Sequence, residues 1–240
     1  MKVALITGAS GAIGSATAEL FLQNGFFVVG GYNSHKEKIT ALEEKYKDKF
    51  FGIKADFKRE KEVLALYKFT EKSFGHVDAL VLNVGKDLYK LLTDTTAEEW
   101  DEIFDVNVRS GFLLAKSCLP EMIKRQRGKI VFVSSVWGIA GASMETAYSA
   151  SKAALIGLTR ALSKEVAPSG VTVNCVCPGV IDSAMNGRFS ETEMADVVAN
   201  IPVGRVGKPQ EIAEMIYYLC SERSDFITGR EFSVDGGFGF

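Results

Sequence analysis

Histidine is nearly missing from this chain: 240 residues hold two, His35 and His76. Neither has a partner at metal-ligand spacing, so no metal site is expected and a Ser-His-Asp hydrolase has little to build on. Cysteine is scarce too. Cys118, Cys175, Cys177 and Cys220 form no CxxC pair and read as buried thiols of a reducing compartment, not as a disulfide framework. Charge of one sign is also lacking, with a net of −2 and only short basic runs, which leaves no footprint for nucleic acid. No apolar stretch is long enough to cross a membrane, and the opening run is too brief for a signal peptide. Cytoplasm is the expected location. Repeats, low-complexity segments and linkers are absent as well, so residues 1–240 are read as one domain.

What is present is an apolar share of 47%, laid out as β-like runs alternating with amphipathic helical stretches. That alternation argues for an α/β domain with a parallel sheet. Strands are expected at 2–7, 26–32, 50–56, 77–82, 130–134 and 171–177, with a last one from residue 232. Between the first strand and the first helix lies Gly8-Ala9-Ser10-Gly11-Ala12-Ile13-Gly14. A glycine turn there lets backbone amides approach a pyrophosphate, whose charge the helix N-terminus favours. This predicts a dinucleotide site.

At the end of the second strand an NAD-preferring protein usually carries Asp or Glu for the ribose hydroxyls. This chain has Tyr32, Asn33, Ser34, His35 and Lys36 instead. No carboxylate repels a 2′-phosphate, Ser34 can hydrogen-bond one, and Lys36 with His35 can supply charge. NADP(H) is therefore expected. Asp56 is placed to meet an adenine edge or to cap the helix at 58–74. In Asn83-Val84-Gly85 the glycine lets backbone pass close to a ligand. Asn107 is locally unfavourable inside a helix. It is either a tolerated surface residue or the prop of a kink that binds water in the site.

Ser135 follows the fifth strand, at the end of the sheet where ligands sit. With no base beside it, it suits holding a carbonyl oxygen. Thirteen residues later comes Tyr148-Ser149-Ala150-Ser151-Lys152, opening a long helix, so that Tyr148 and Lys152 share one face. A phenol titrates near ~10, and a cation about 4 Å away contributes at most roughly 4 kcal/mol at an effective dielectric near 20. That brings a tyrosine into the range for donating a proton. Spacing alone does not decide, because Tyr32 and Lys36 share it. Context does: an apolar strand with paired serines precedes Tyr148 and a long helix follows. After the sixth strand come Pro178, Gly179, Ile181 and Ser183, then a polar stretch at 182–208 expected to form a lid. The apolar tail beyond 232 is expected at a subunit interface.

These motifs in this order resemble the classical short-chain dehydrogenase/reductase family over essentially the whole chain. The pattern is most similar to the 3-oxoacyl-acyl-carrier-protein reductase group, through Ile201-Pro202-Val203-Gly204-Arg205 and Val234-Asp235-Gly236-Gly237. The resemblance implies a doubly wound Rossmann fold, a homotetramer, and hydride transfer between a nicotinamide and a carbonyl or alcohol. It implies Tyr148 as the acid, Ser135 as the carbonyl holder, Asn107 as the anchor of a relay water, and Lys152 on the nicotinamide ribose. Gly8, Ser10, Ile13 and Asn83 would line the cofactor, with Ile181 and Ser183 at its carboxamide. Departures from the family pattern are Ala12 for glycine, Gly11 for a polar residue, Val84 for alanine and Ser183 for threonine.

For the substrate, the resemblance implies a 3-oxoacyl thioester on acyl carrier protein, docked through Lys124, Arg125, Arg127 and Lys129. Ser169, where a basic residue is common, weakens that docking. The loop from Trp137 to Glu145, and Val180 to Asn186 with Met185, are similar to elongation factor P 5-aminopentanone reductases, with Glu145 set to pair with a substrate ammonium. Third comes a non-catalytic NADP-binding regulator on the same fold. An intact Ser135, Tyr148, Lys152 and Asn107 argue against it.

Overall fold

The computed structural model describes residues 1–239, apart from the side chains of Met185 and Arg188. Its strands are β1 (Lys2–Thr7), β2 (Phe26–Tyr32), β3 (Phe50–Lys54), β4 (Ala79–Leu82), β5 (Gly128–Val133), β6 (Val171–Pro178) and β7 (Glu231–Val234). They pair in parallel, in the order β3-β2-β1-β4-β5-β6-β7. Single-domain α/β architecture with a doubly wound parallel sheet is thus what the chain adopts.

Both sheet faces are covered, and the sequence shows why. In β1, Leu5 packs into one apolar cluster while Ala4 and Ile6 pack into the other, the period-two alternation of a strand with no wet face. Helices α3 (Glu60–Phe74), α5 (Ser110–Lys124) and α7 (Thr146–Val166) close the first cluster through Leu66, Leu114, Met122 and Leu155. Helices α1 (Ala12–Gln23), α2 (Lys36–Lys45) and α9 (Pro209–Leu219) close the second through Phe21, Ile39, Ile212 and Ile216. Truncating a fully buried side chain such as Phe132 to alanine costs about 3–5 kcal/mol. The remaining helices are α4 (Ala97–Phe104), α6 (Trp137–Ala140) and α8 (Glu191–Ala199).

Some boundaries differ from the expected ones. β3 ends at Lys54, because Asp56 turns away to accept from the Lys58 amide at 3.0 Å. The helix foreseen from residue 58 starts at Glu60, with Arg59 as its N-cap, so Asp56 holds the preceding turn and not the helix itself. Residues Asp105–Arg109 form a π-helical turn with Asn107, a buried residue, at its centre.

Strand order reverses at β1. The chain builds outward to β3 and then returns to β4 on the other side of β1. The carboxyl ends of β1 and β4 diverge there and leave a crevice, where open α/β sheets bind ligands. At the amino ends of the central strands, Asp78 ties the elements down. It accepts from the Val3 amide at 2.8 Å and from Arg125 Nη2 at 2.7 Å.

Candidate active site

A cleft of about 690 Å³ runs along the carboxyl ends of the strands. That is an ordinary volume for a small-molecule site. Its floor at one end is the glycine turn. Gly8 has φ +67°, and a side chain there would reach within 2.9 Å of the Asn83 amide nitrogen. The Gly11 amide donates to the Gly8 carbonyl at 3.0 Å, and α1 starts one residue later with no side-chain cap on its N-terminus. The first amides of α1 are therefore left for a ligand. Gly8, Ser10, Gly11 and Ile13 line the cleft. Gly14 does not. A Cβ on Gly14 would stand 2.0 Å from the Gly8 carbonyl oxygen, so its service is to let α1 pack against the turn.

Asn83 fastens the two sides of the crevice. Its Nδ2 donates to the carbonyls of Thr7 and Gly8 at 3.1 and 3.3 Å, while its backbone amide and that of Val84 donate to Thr7 Oγ1 at 3.0 Å. Beside it Gly85 lines the cleft, and a Cβ there would stand 3.1 Å from Lys152 Nζ.

At the end of β2, Asn33, Ser34 and His35 line the cleft, and so does Asp56 at the end of β3. Tyr32 and Lys36 fall outside the lining. Tyr32 is buried beneath the sheet end in the second apolar cluster, and Lys36 is the exposed first residue of α2. The cations that do reach this end are Lys58 and Lys86, which the sequence pattern does not flag.

The catalytic candidates converge near the middle of the cleft, where Ser135, Tyr148 and Lys152 all line the wall and are buried. β5 delivers the two serines. Ser134 Oγ donates to the Lys152 carbonyl at 2.8 Å, and Ser135 Oγ accepts from the Trp137 amide at 3.2 Å. One turn of α7 separates Tyr148 from Lys152, whose Nζ stands 5.6 Å from the Tyr148 ring centre and donates to the Val133 carbonyl at 2.9 Å. Burial lowers the Lys152 ammonium from 10.5 to about 8, with the Cys175 and Cys177 thiols opposing that shift. Lys152 thus still carries its charge at neutral pH, close to the Tyr148 ring.

Asn107 lies behind this wall and does not line the cleft. Its Oδ1 accepts from the Lys86 amide at 2.7 Å, and its Nδ2 donates to the Lys86 carbonyl and to Ser151 Oγ, each at 2.9 Å. Ser151 Oγ in turn donates to the Tyr148 carbonyl at 2.7 Å. With both side-chain N–H groups used, Asn107 positions the loop after β4 and the start of α7.

The far wall is apolar. Pro178, Gly179, Ile181 and Ser183 line it after β6, and Phe189 and Val197 come from the 182–208 segment. That segment forms a short 3₁₀ helix (Ala184–Arg188) and α8, whose Ser190 and Glu193 make a capping box. Met185 sits in the 3₁₀ helix, and its side chain lies outside the described residues. Trp137 and Phe238 both line the cleft, with ring centres 5.4 Å apart edge to face. Phe238 gives the tail a place in the cleft wall that its sequence did not signal. Asp235 accepts from the Gly237 and Gly239 amides at 3.0 and 3.1 Å and turns the chain back over the site. Glu145, buried at 4% exposure, lines the wall three residues ahead of Tyr148.

The basic cluster foreseen at the mouth is elsewhere. Lys124, Arg125, Arg127 and Lys129 gather at the start of β5, the far end of that strand from Ser135. All four pair with acids of the same chain: Glu121, Asp78, Glu222 and Asp225. The residues of a strand end point along a common cleft only at its own end, which this patch does not share.

The turn, the free helix N-terminus and the cleft volume fit a dinucleotide. A bound nicotinamide dinucleotide would supply the hydride. The chain's own groups would hold a carbonyl oxygen at Ser135 and move a proton at the Tyr148 hydroxyl. Among the described residues no three His, Cys, Asp or Glu side chains gather as metal ligands, and no helix is long and apolar enough to cross a membrane.

Residues 8–239 match the family described as enoyl-(acyl carrier protein) reductase. The chain is 38% identical over 240 residues to an uncharacterised oxidoreductase of Bacillus subtilis, YmfI, covering 99% of this chain and 98% of that one. It is 39% identical over 242 residues to the 3-oxoacyl-[acyl-carrier-protein] reductase FabG of Thermotoga maritima, covering 98% and 97%. A crystal structure from Agrobacterium tumefaciens, described as a candidate gluconate dehydrogenase, superimposes with a TM-score of 0.93 at 27% identity, covering 99% of this chain and 96% of that one.

Proposed function

The chain belongs to the short-chain dehydrogenase/reductase family of oxidoreductases, and within it we propose an NADPH-dependent carbonyl reductase. The observation that carries this is the convergence of Ser135, Tyr148 and Lys152 on one cleft wall, continuous with the glycine turn. In this reading Ser135 holds the carbonyl, Tyr148 gives the proton, and Lys152 with Asn107 keeps Tyr148 in place. NADPH over NADH is supported by a β2 end with no carboxylate, by Ser34 and His35 in the lining, and by the cations Lys58 and Lys86. The same reading makes the enzyme a cytoplasmic homotetramer with 182–208 as its substrate lid.

For the substrate we propose a carbonyl that carries an amine, of the kind represented by the 5-aminopentanone modification on elongation factor P. Glu145 favours it. An acid three residues ahead of Tyr148 in the same cleft wall would give a substrate ammonium a charge-assisted partner, which an acyl chain would not use. The second reading is a 3-oxoacyl thioester on acyl carrier protein. It is favoured by relatives so named, among them those of Thermotoga maritima and Vibrio cholerae, and is opposed by the site of the basic cluster.

The deciding experiment compares NADPH consumption with elongation factor P bearing the 5-aminopentanone and with acetoacetyl-acyl carrier protein. Faster turnover of the first, with a raised KM in Glu145→Gln, supports the amine reading. Preference for the thioester, with Glu145→Gln indifferent, replaces it with the second. No oxidation of NADPH with either would overturn both.

A further inference from the structure

Two ammonium groups share one carboxylate oxygen at the rim of the cleft. Glu102 Oε1 lies 3.1 Å from Lys58 Nζ and 2.9 Å from Lys86 Nζ. All three residues line the cleft, and each is partly exposed. The two lysines hold the Glu102 carboxyl below its usual range. None of them is a motif residue of the dinucleotide turn or of the Ser135–Tyr148–Lys152 group.

Topology gives the arrangement its meaning. Lys58 follows β3, whereas Lys86 follows β4 and Glu102 lies on α4. In the sheet, β3 and β4 are separated by β2 and β1, three inter-strand steps, or about 14 Å. The Lys58–Glu102 pair therefore joins the two halves of the fold across the crevice between them. A second crossing pair, Arg109 with Glu60 at 2.9 Å, lies outside the cleft lining.

We propose that Lys58, Glu102 and Lys86 form an ionic strap over the dinucleotide end of the cleft, and that its opening sets how fast the cofactor leaves. Like charges repel, so the two ammonium groups stay adjacent only while Glu102 lies between them. Losing that carboxylate lets the rim spread. The inference rests on dinucleotide binding in this cleft but not on which carbonyl is reduced.

The test is the NADPH release rate of the full chain, read by stopped-flow fluorescence on displacement, without substrate. Pairs this exposed are worth little each, so Glu102→Gln is expected to speed release about three- to tenfold. Raising the salt should speed release from the wild type and much less from the variant. Simple charge counting predicts the reverse sign, because removing an acid near an anionic cofactor should slow its departure. Glu60→Gln, which breaks the crossing pair outside the cleft, should leave the rate unchanged. Slower or unaltered release from Glu102→Gln, or equal acceleration by Glu60→Gln, would overturn the strap while leaving the proposed reductase intact. A wild type that binds no NADPH would overturn both.

Discussion

Lys152 Nζ stands 5.6 Å from the centre of the Tyr148 ring and donates to the Val133 carbonyl at 2.9 Å, so one helix turn and one strand end fix the phenol and its neighbouring cation together. The ammonium is buried, and burial is what lowers it to about 8.

That shift has a signed consequence for stability. Below about 8 both folded and unfolded chains carry the proton, and the fold bears the full penalty of a buried charge. Between about 8 and 10.5 the unfolded chain binds a proton that the folded one has released, so stability rises with pH across that window. Relative to Lys152→Met, the wild type should gain about 2–3 kcal/mol between pH 7.5 and 10. Urea denaturation at the two values checks this, and a difference that does not change with pH contradicts it.

Gly14→Ala should damage both folding and cofactor binding. Its Cβ would meet the Gly8 carbonyl oxygen at 2.0 Å, and neither backbone can yield without moving α1 off the turn. Overpacking of this kind costs about 1–3 kcal/mol. At Gly11 the nearest atom is 3.3 Å away, so Gly11→Ala should be the milder change. Thermal melts with and without NADPH rank the two variants, and the reverse ranking contradicts the packing role given to Gly14.

Cofactor choice should respond at Ser34, which lines the cleft, and not at Tyr32, which is buried below it. Ser34→Asp places a carboxylate against a 2′-phosphate, and like charges brought together cost several kcal/mol. The preference for NADPH over NADH should fall by at least about tenfold. Dissociation constants for the two cofactors provide the readout, and an unmoved ratio removes Ser34 from the phosphate site.

Much of this was legible in the residues, for local reasons. The alternation of apolar runs with helical stretches specifies the sheet because both faces of β1, β4 and β5 must be covered. The glycine turn is legible because glycine takes the +67° φ at Gly8 without steric cost and because the close pass at Gly14 leaves no room for a side chain. Tyr148 and Lys152 share a helix face by spacing alone, and the π-helical turn at Asn107 is announced by a poor helix former between two valines.

What escaped was convergence from distant loops. Phe238 enters the cleft because Asp235 turns the tail, and no periodicity records that. Lys58, Lys86 and Glu102 meet only because strand order places β3 and β4 on opposite sides of β1. The cluster at 124–129 lies few residues from Ser135 along the chain, yet the length of β5 runs between them and sets them at opposite ends of the strand.

In the proposed NADPH-linked reduction, Tyr148 gives the proton to the carbonyl oxygen. The most direct test of that role is single-turnover oxidation of bound NADPH by wild type and Tyr148→Phe, with cofactor affinity measured in parallel. Tyr148→Phe should bind NADPH about as tightly as the wild type and lose about 10²–10⁴-fold in rate. Oxidation at the wild-type rate by Tyr148→Phe would contradict that role.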